Sequence, residues 1–336
     1  DRETARAMRA AALRKLGQVK SWHDILVRNA ELLKRSRGGK TQVTAGLSWL
    51  YTGLLRETVT SLPGLTLYAT GDCTEFEEIL DTLIADNQER LFRRTTQVEA
   101  PLRLIDTLQQ YIDFAGLEKR VWQKYGETVK GIIESYLPGR RNEVSLHPNG
   151  LLWAQMDHVA LSWMNAYING NPVTERPGYQ VDTNAWWYNA LCFAIDMERK
   201  WGDADGEFVR KMEPVRDAAK ANFQKMFWNP DWGYLRDYID SSDYHPEVRS
   251  NQLVAAYVKY STLSPRSVYY KGVYEGSQID RDLAYHNGCT RTELLELYIS
   301  TAFRMMGPSF IGKAEYLTEG FYEDISKHGV GAFSEL

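Results

Sequence analysis

Apolar residues recur at i, i+3, i+4 and i+7 along long stretches of the 336-residue chain, the period of a helix that buries one face. The spacing predicts helices over Ala5–Leu16, Phe76–Asn87, Ala100–Ala115, Leu117–Tyr136, Val181–Arg199, Glu207–Phe227, Asn251–Tyr260 and Thr290–Met306. Strand-like alternation never persists beyond a few residues. Turn-forming clusters separate the helical stretches: Arg37-Gly38-Gly39, Leu62-Pro63-Gly64, Pro138-Gly139, Pro148-Asn149-Gly150, Gly170-Asn171-Pro172 and Asn229-Pro230-Asp231-Trp232-Gly233. No low-complexity linker or compositional break interrupts them, so residues 1–336 read as one all-α domain. Roughly ten helices exceed a four-helix bundle and suit a ring of helical hairpins. No repeat of solenoid length is present. In such a ring the ligand site belongs at the loop-bearing end.

Composition narrows the partners. Apolar residues make up 43% of the chain, and no run approaches the roughly eighteen needed to span a membrane. Asp1-Arg2-Glu3-Thr4-Ala5-Arg6 offers no apolar signal segment, and the close after Gly-Val-Gly-Ala-Phe-Ser reads as a piece of a longer chain. A net charge of −4 without clustering argues against nucleic acid as a partner. Cys73, Cys192 and Cys289 are odd in number and widely spaced, which points to a reducing compartment and a cytoplasmic location. The aromatic share is 12%, with ten Trp and twenty Tyr. Most of these rings belong in a core, but aromatic planes also stack on the CH faces of sugars.

Glycoside hydrolysis needs two carboxyl groups flanking the scissile bond, and five stretches combine carboxylate or amide groups with aromatic rings. They are Trp49-Leu50-Tyr51 with Arg56-Glu57; Val98-Glu99-Ala100-Pro101; the span from Gly150 to Ala190; Tyr285-His286-Asn287-Gly288; and Ser334-Glu335. The third is the densest, holding Trp153, Asp157-His158, Trp163-Met164-Asn165, Glu175-Arg176 and Asn184-Ala185-Trp186-Trp187-Tyr188-Asn189. Plainer readings stand beside each. Glu99 suits a helix cap, Asp157 and His158 could form an ion pair, and Trp186-Trp187 is more often core than platform. His158 and His286 lack partners at metal-ligand spacing. No GxSxG elbow or Walker loop is present, and nothing calls for a cofactor.

These motifs, in this order, resemble the glucosidase domain of glycogen debranching enzymes. That family carries Trp-Met-Asp, then a Pro-Val-Thr-Pro-Arg-like turn, then Asn-Ala-Leu-Trp-Tyr-Asn-Ala. This chain has Trp163-Met164-Asn165, Pro172-Val173-Thr174-Glu175-Arg176 and Asn184-Ala185-Trp186-Trp187-Tyr188-Asn189-Ala190. Gly38-Gly39-Lys40-Thr41, Arg56-Glu57-Thr58 through Leu62-Pro63-Gly64-Leu65, Gly233-Tyr234-Leu235-Arg236-Asp237, Arg249-Ser250-Asn251-Gln252 and Tyr285-His286-Asn287-Gly288 extend the resemblance over most of the chain. It implies an (α/α)6 toroid that hydrolyses the α-1,6-linked glucose left at branch points of glycogen or similar α-glucans.

The same resemblance assigns residues. Glu335 falls where the family has its base, and Arg56, Glu57, Glu99, Trp163, Arg176, Asn184, Tyr188 and His286 would hold the sugar. The aspartate that the resemblance implies as the acid is replaced by Asn165, whose amide has no titratable proton to give. Another carboxyl must then act, and Asp157 is the candidate. Glu57 and Glu99 replace aspartates, and Cys289-Thr290-Arg291-Thr292-Glu293 replaces a tryptophan-rich run. Three functions follow: an inverting debranching glucosidase, a glucan-binding domain that has lost its acid, or a glycosidase for another α-linked sugar.

Overall fold

The computed structural model describes residues 21–44, 54–242, 245, 247–263 and 292–327. Among these the chain is helix-rich and divides into two compact units. One holds the residues up to Asp86 and those from Gly320 onward, the other Asn87–Glu319.

In the first unit, helix α1 (Trp22–Leu32) opens on Ser21, whose hydroxyl accepts from the Asp24 N–H while the Asp24 carboxylate accepts from the Ser21 N–H. Strands β1 (Lys34–Arg37) and β2 (Lys40–Val43) form an antiparallel hairpin whose turn is Gly38-Gly39. Helix α2 (Leu55–Pro63) runs directly into a π-helical turn, Gly64–Tyr68, before α3 (Cys73–Asp86). Leu62-Pro63-Gly64 therefore does not break the chain's helical course, because Gly64 keeps a right-handed helical backbone, φ −62° and ψ −43°, and opens the π-helical turn. Leu55, Leu62, Leu67, Phe76 and Leu80 form the core of this unit.

The second unit begins with α4 (Gln88–Phe92), α5 (Ala100–Ala115) and α6 (Glu118–Glu134). Short antiparallel pairs follow: β3 (Val144–Leu146) with β4 (Leu152–Ala154), and β5 (Tyr167–Ile168) with β6 (Asn171–Pro172). Strand β7 (Tyr179–Gln180) leads into α7 (Val181–Trp201), followed by α8 (Glu207–Phe227). Strands β8 (Trp228–Asn229) and β9 (Tyr234–Leu235) pair with each other, while β10 (Tyr238–Ile239) returns to β7. Helices α9 (Gln252–Tyr257), α10 (Thr292–Met306) and α11 (Ile311–Lys327) come last, α11 up to Glu319 belonging here.

Helix α7 is the centre of this unit. It packs on α5, α6, α8 and α9, so it is buried around nearly its whole circumference, as a helix enclosed on all sides must be. Trp187 fills the space against Tyr136 at 5.6 Å between ring centres and donates from Nε1 to the Gly150 carbonyl. Trp186 lies edge-on to Tyr257. Both tryptophans are core. Glu198 fastens α7 to α6 by accepting from Trp122 Nε1 at 3.0 Å and pairing with Lys130.

Five predicted helices begin and end within a few residues of those observed, and Asn251–Tyr260 is shorter, Gln252–Tyr257. The predicted Ala5–Leu16 helix lies outside the described residues, as do Thr290 and Arg291 of Thr290–Met306. The structure adds α1, α2, α4 and α11. No described helix is long and apolar enough to cross a membrane.

Candidate functional site

The loop from Gln155 to Pro177 leaves the second unit and returns to the same point. Ala154 and Gly178 close its neck with two backbone hydrogen bonds of 2.9 and 2.7 Å. Gly178 is required there. Its φ is +98°, and a Cβ would fall 2.1 Å from the Ile239 carbonyl oxygen. Inside the loop, β5 and β6 form a hairpin extended by the Val173 N–H donating to the Ala166 carbonyl. The Tyr167 hydroxyl accepts from the Ala160 N–H at 2.8 Å, and the Val98 N–H donates to the Leu161 carbonyl beside the start of α5.

Beneath the loop lies a buried polar network. The Arg176 guanidinium donates to both carboxylate oxygens of Asp182, at 3.3 and 2.7 Å, and to both of Asp237, at 2.9 and 3.0 Å. Arg249 adds a bond of 2.9 Å to Asp237, and the Asn251 amide another of 2.7 Å. Asn251 in turn accepts from Trp163 Nε1 at 2.7 Å. Burial alone would lower the Arg176 pKa, but Asp182 and Asp237 outweigh it and raise it above the ordinary value. Burial alone would raise the Asp237 pKa, but Arg176, Arg249 and the Asn251 hydrogen bond hold it below the usual carboxylate range. The group is thus a fixed set of charges that binds the loop's return strand to β10 and to the segment before α9.

Above the network the loop encloses one side of a shallow, open cleft of about 20 Å³, room for roughly one water molecule. Met156, Val159, Leu161 and Pro177 give it an apolar wall. Its polar lining is Gln155, Glu175 and Arg176.

The residues singled out in the sequence are distributed unevenly. Asn165 and Asp157 are exposed on the loop, and neither lines the cleft. Trp163 and Arg176 enter the network. Asn184 is fully buried in the first turn of α7: its carbonyl accepts from the Leu152 N–H, and its amide donates to the Leu152 and Gln180 carbonyls. It therefore ties β4 to α7. Tyr188 is buried on the same helix, its pKa pushed up by burial and by Cys192. Glu99 is buried at the start of α5 without a side-chain capping bond, the backbone there being already helical. Arg56 is buried and Glu57 half-buried in α2 of the first unit. Glu335 and His286 lie outside the described residues. The sequence reading did not single out Asp182, Asp237, Arg249 or Asn251 as site residues, although Asp237 and Arg249–Asn251 fall within segments already marked by the resemblance.

The helix-rich architecture with short hairpins has structural neighbours that are glycosidases. A GH78 family rhamnosidase of Bacillus sp. GL1 superposes with a TM-score of 0.55 at 12% identity, over 93% of this chain and 31% of that one. A rhamnosidase from Klebsiella oxytoca with rhamnose bound gives 0.47 at 12% identity, over 71% of this chain and 40% of that one. This chain thus spans well under half the length of either solved structure. No curated protein sequence matches it. The sequence matches the amylo-alpha-1,6-glucosidase family over residues 23–267 and 258–336. The chain belongs to that family.

Proposed function

We propose that this protein is a glycoside hydrolase of the debranching type, releasing α-1,6-linked glucose from branch points of glycogen-like α-glucans with inversion at the anomeric carbon. In this reading residues 1–336 work as a single (α/α)6 domain in the cytoplasm, without metal or organic cofactor. The observation that carries it is the family match along nearly the whole chain. Inverting hydrolysis needs an acid to protonate the leaving oxygen and a base to activate water from the opposite face. Glu335 is the proposed base. Arg56, Glu57, Glu99, Trp163, Tyr188 and His286 are proposed to shape the sugar site, with Arg176 and Asn184 fixing its walls.

Asn165 favours a second reading, in which the domain binds glucan without cleaving it. Glucose release from a dextrin carrying single α-1,6-glucosyl branches separates the two. The enzyme reading expects release by the intact protein. Release only by the Asn165→Asp variant, with both proteins binding the dextrin, would establish the binding reading.

A further inference from the structure

Helix α10 rests on the second unit through Leu297, Thr301 and Arg304, whose spacing puts them on one side of the helix. Leu297 and Thr301 are buried, while Phe303, Met305 and Met306 near its end are exposed. The seat is provided chiefly by α9. Arg304 donates from one terminal nitrogen to the Tyr257 carbonyl at 2.8 Å and from the other to the Val258 carbonyl at 3.1 Å. These carbonyls are left open where α9 ends, so the guanidinium closes that end.

Beside this seat, on α5, lies Asp106. It is 8% exposed, and its carboxylate accepts one hydrogen bond, 2.9 Å from Gln110 Nε2, which also reaches the Tyr257 hydroxyl of α9 at 3.3 Å. Asp106 forms no ion pair among the described residues. The cations near it are engaged elsewhere: Arg304 with the α9 carbonyls, and Arg103, one turn earlier on α5, over the Trp186 ring at 5.6 Å. From α10 it also faces Glu296, a charge of its own sign. The other helices against α5 bring no uncommitted counter-charge. The one ionisable side chain that α6 buries is Tyr125. Helix α7 buries Asp182, held by Arg176, and Glu198, held by Trp122 and Lys130, together with Tyr188 and Cys192.

A buried carboxylate with one neutral donor is costly to keep ionised. We infer that α10 is a proton-controlled latch, closed against Asp106 while that carboxyl is protonated and released when it ionises. Burial pushes the Asp106 pKa up to about 6, with Glu296 assisting and Gln110, Arg103 and Arg304 opposing. Release lets water reach the carboxyl and returns it to its ordinary value. A pKa raised in the closed form makes opening easier as pH climbs. For values of about 6 closed and about 3.9 open, opening becomes about fiftyfold more favourable from pH 4 to pH 7. Helix α10 yields before its neighbours because α5 and α9 both pack on α7, whereas α10 has few buried residues to lose.

The latch is independent of the reaction proposed above, and hydrogen exchange on the whole protein tests it. Amides of residues 297–306 are followed at pH 4 and pH 7, corrected for the intrinsic exchange rate, with those of α7 as the measure of global unfolding. The expected result is that α10 exchanges faster than α7 at both pH values, and that its protection falls about fiftyfold on going to pH 7. Asp106→Asn, which cannot ionise, should leave α10 equally protected at both. Glu296→Gln, at an exposed position of α10, removes the like charge and should shrink the pH effect. Equal exchange of α10 and α7 would mean that the helix opens only with the whole unit, and overturns the latch. So does α10 protection in the intact protein that is the same at both pH values, or a pH effect that survives in Asp106→Asn. Should Asp106→Asn fail to fold, an undiminished pH effect in Glu296→Gln overturns it instead.

Discussion

Asp106 and Asp237 are both buried carboxylates of the second unit, and they shift in opposite directions because of what faces them. Asp237 meets two guanidinium groups and stays ionised well into acid. Asp106, on α5, is pushed up to about 6 by burial, with the Gln110 hydrogen bond and the Arg103 charge opposing and Glu296 assisting the rise. An acid whose folded pKa is raised contributes stability that is present below its unfolded value and lost as pH rises through the folded one. The protein is therefore expected to gain stability on going from pH 7 to pH 4, by an amount on the order of 3 kcal/mol from this residue. The Asp106→Asn variant should lose that part of the pH dependence in urea unfolding; an unchanged profile would show that Asp106 is not buried as described. Such behaviour is not legible in sequence, because Asp106 sits on a helix face that the period marks only as mixed. The same holds for Arg176. Its motif drew attention to it, but its partners Asp182 and Asp237 lie 6 and 61 residues away, and the pairing depends on how the loop folds back.

At the scale of elements, the helices with one clear apolar face were legible almost to the residue, α5 and α8 among them. Helix α7 was found from the same i, i+3, i+4, i+7 period, although it is buried all round. The long stop at Leu62-Pro63-Gly64 was misjudged because proline and glycine signal a break only when the backbone leaves the helix, and here it continues as a π-helical turn. The short hairpins were invisible to alternation, since strands of two or three residues cannot show a period. Their glycines and prolines were the better guide. Gly178 was not among them, yet it is the most demanding glycine at the loop. Replacing it with alanine forces a Cβ against the Ile239 carbonyl in a left-handed backbone, which is expected to destabilise the second unit by about 2 kcal/mol or more and to free the neck of the loop. Thermal unfolding of Gly178→Ala checks this, with protease cleavage between residues 155 and 177 rising in parallel. A variant as stable and as resistant as the parent would contradict the account of the neck.

For the whole molecule, the order of motifs alone points to the family, and the match over 23–267 and 258–336 places the chain there. The helix-rich character was equally legible. The site was less so. Motif matching located the loop between Trp153 and Arg176, but it could not say that Arg176 turns inward to Asp182 and Asp237 while Asp157, Asn165 and Glu175 stay exposed. Asn184 shows the same limit, as a residue with the look of a ligand group that spends both amide donors and its carbonyl on its own backbone. The central claim is that this fold hydrolyses an α-glucosidic branch by inversion, and the stereochemistry of the product tests it most directly. Proton NMR of the first-formed glucose, recorded before the anomers equilibrate during digestion of a singly branched α-1,6-glucosyl dextrin, should show the β anomer. Appearance of the α anomer first, or no glucose at all, would contradict it.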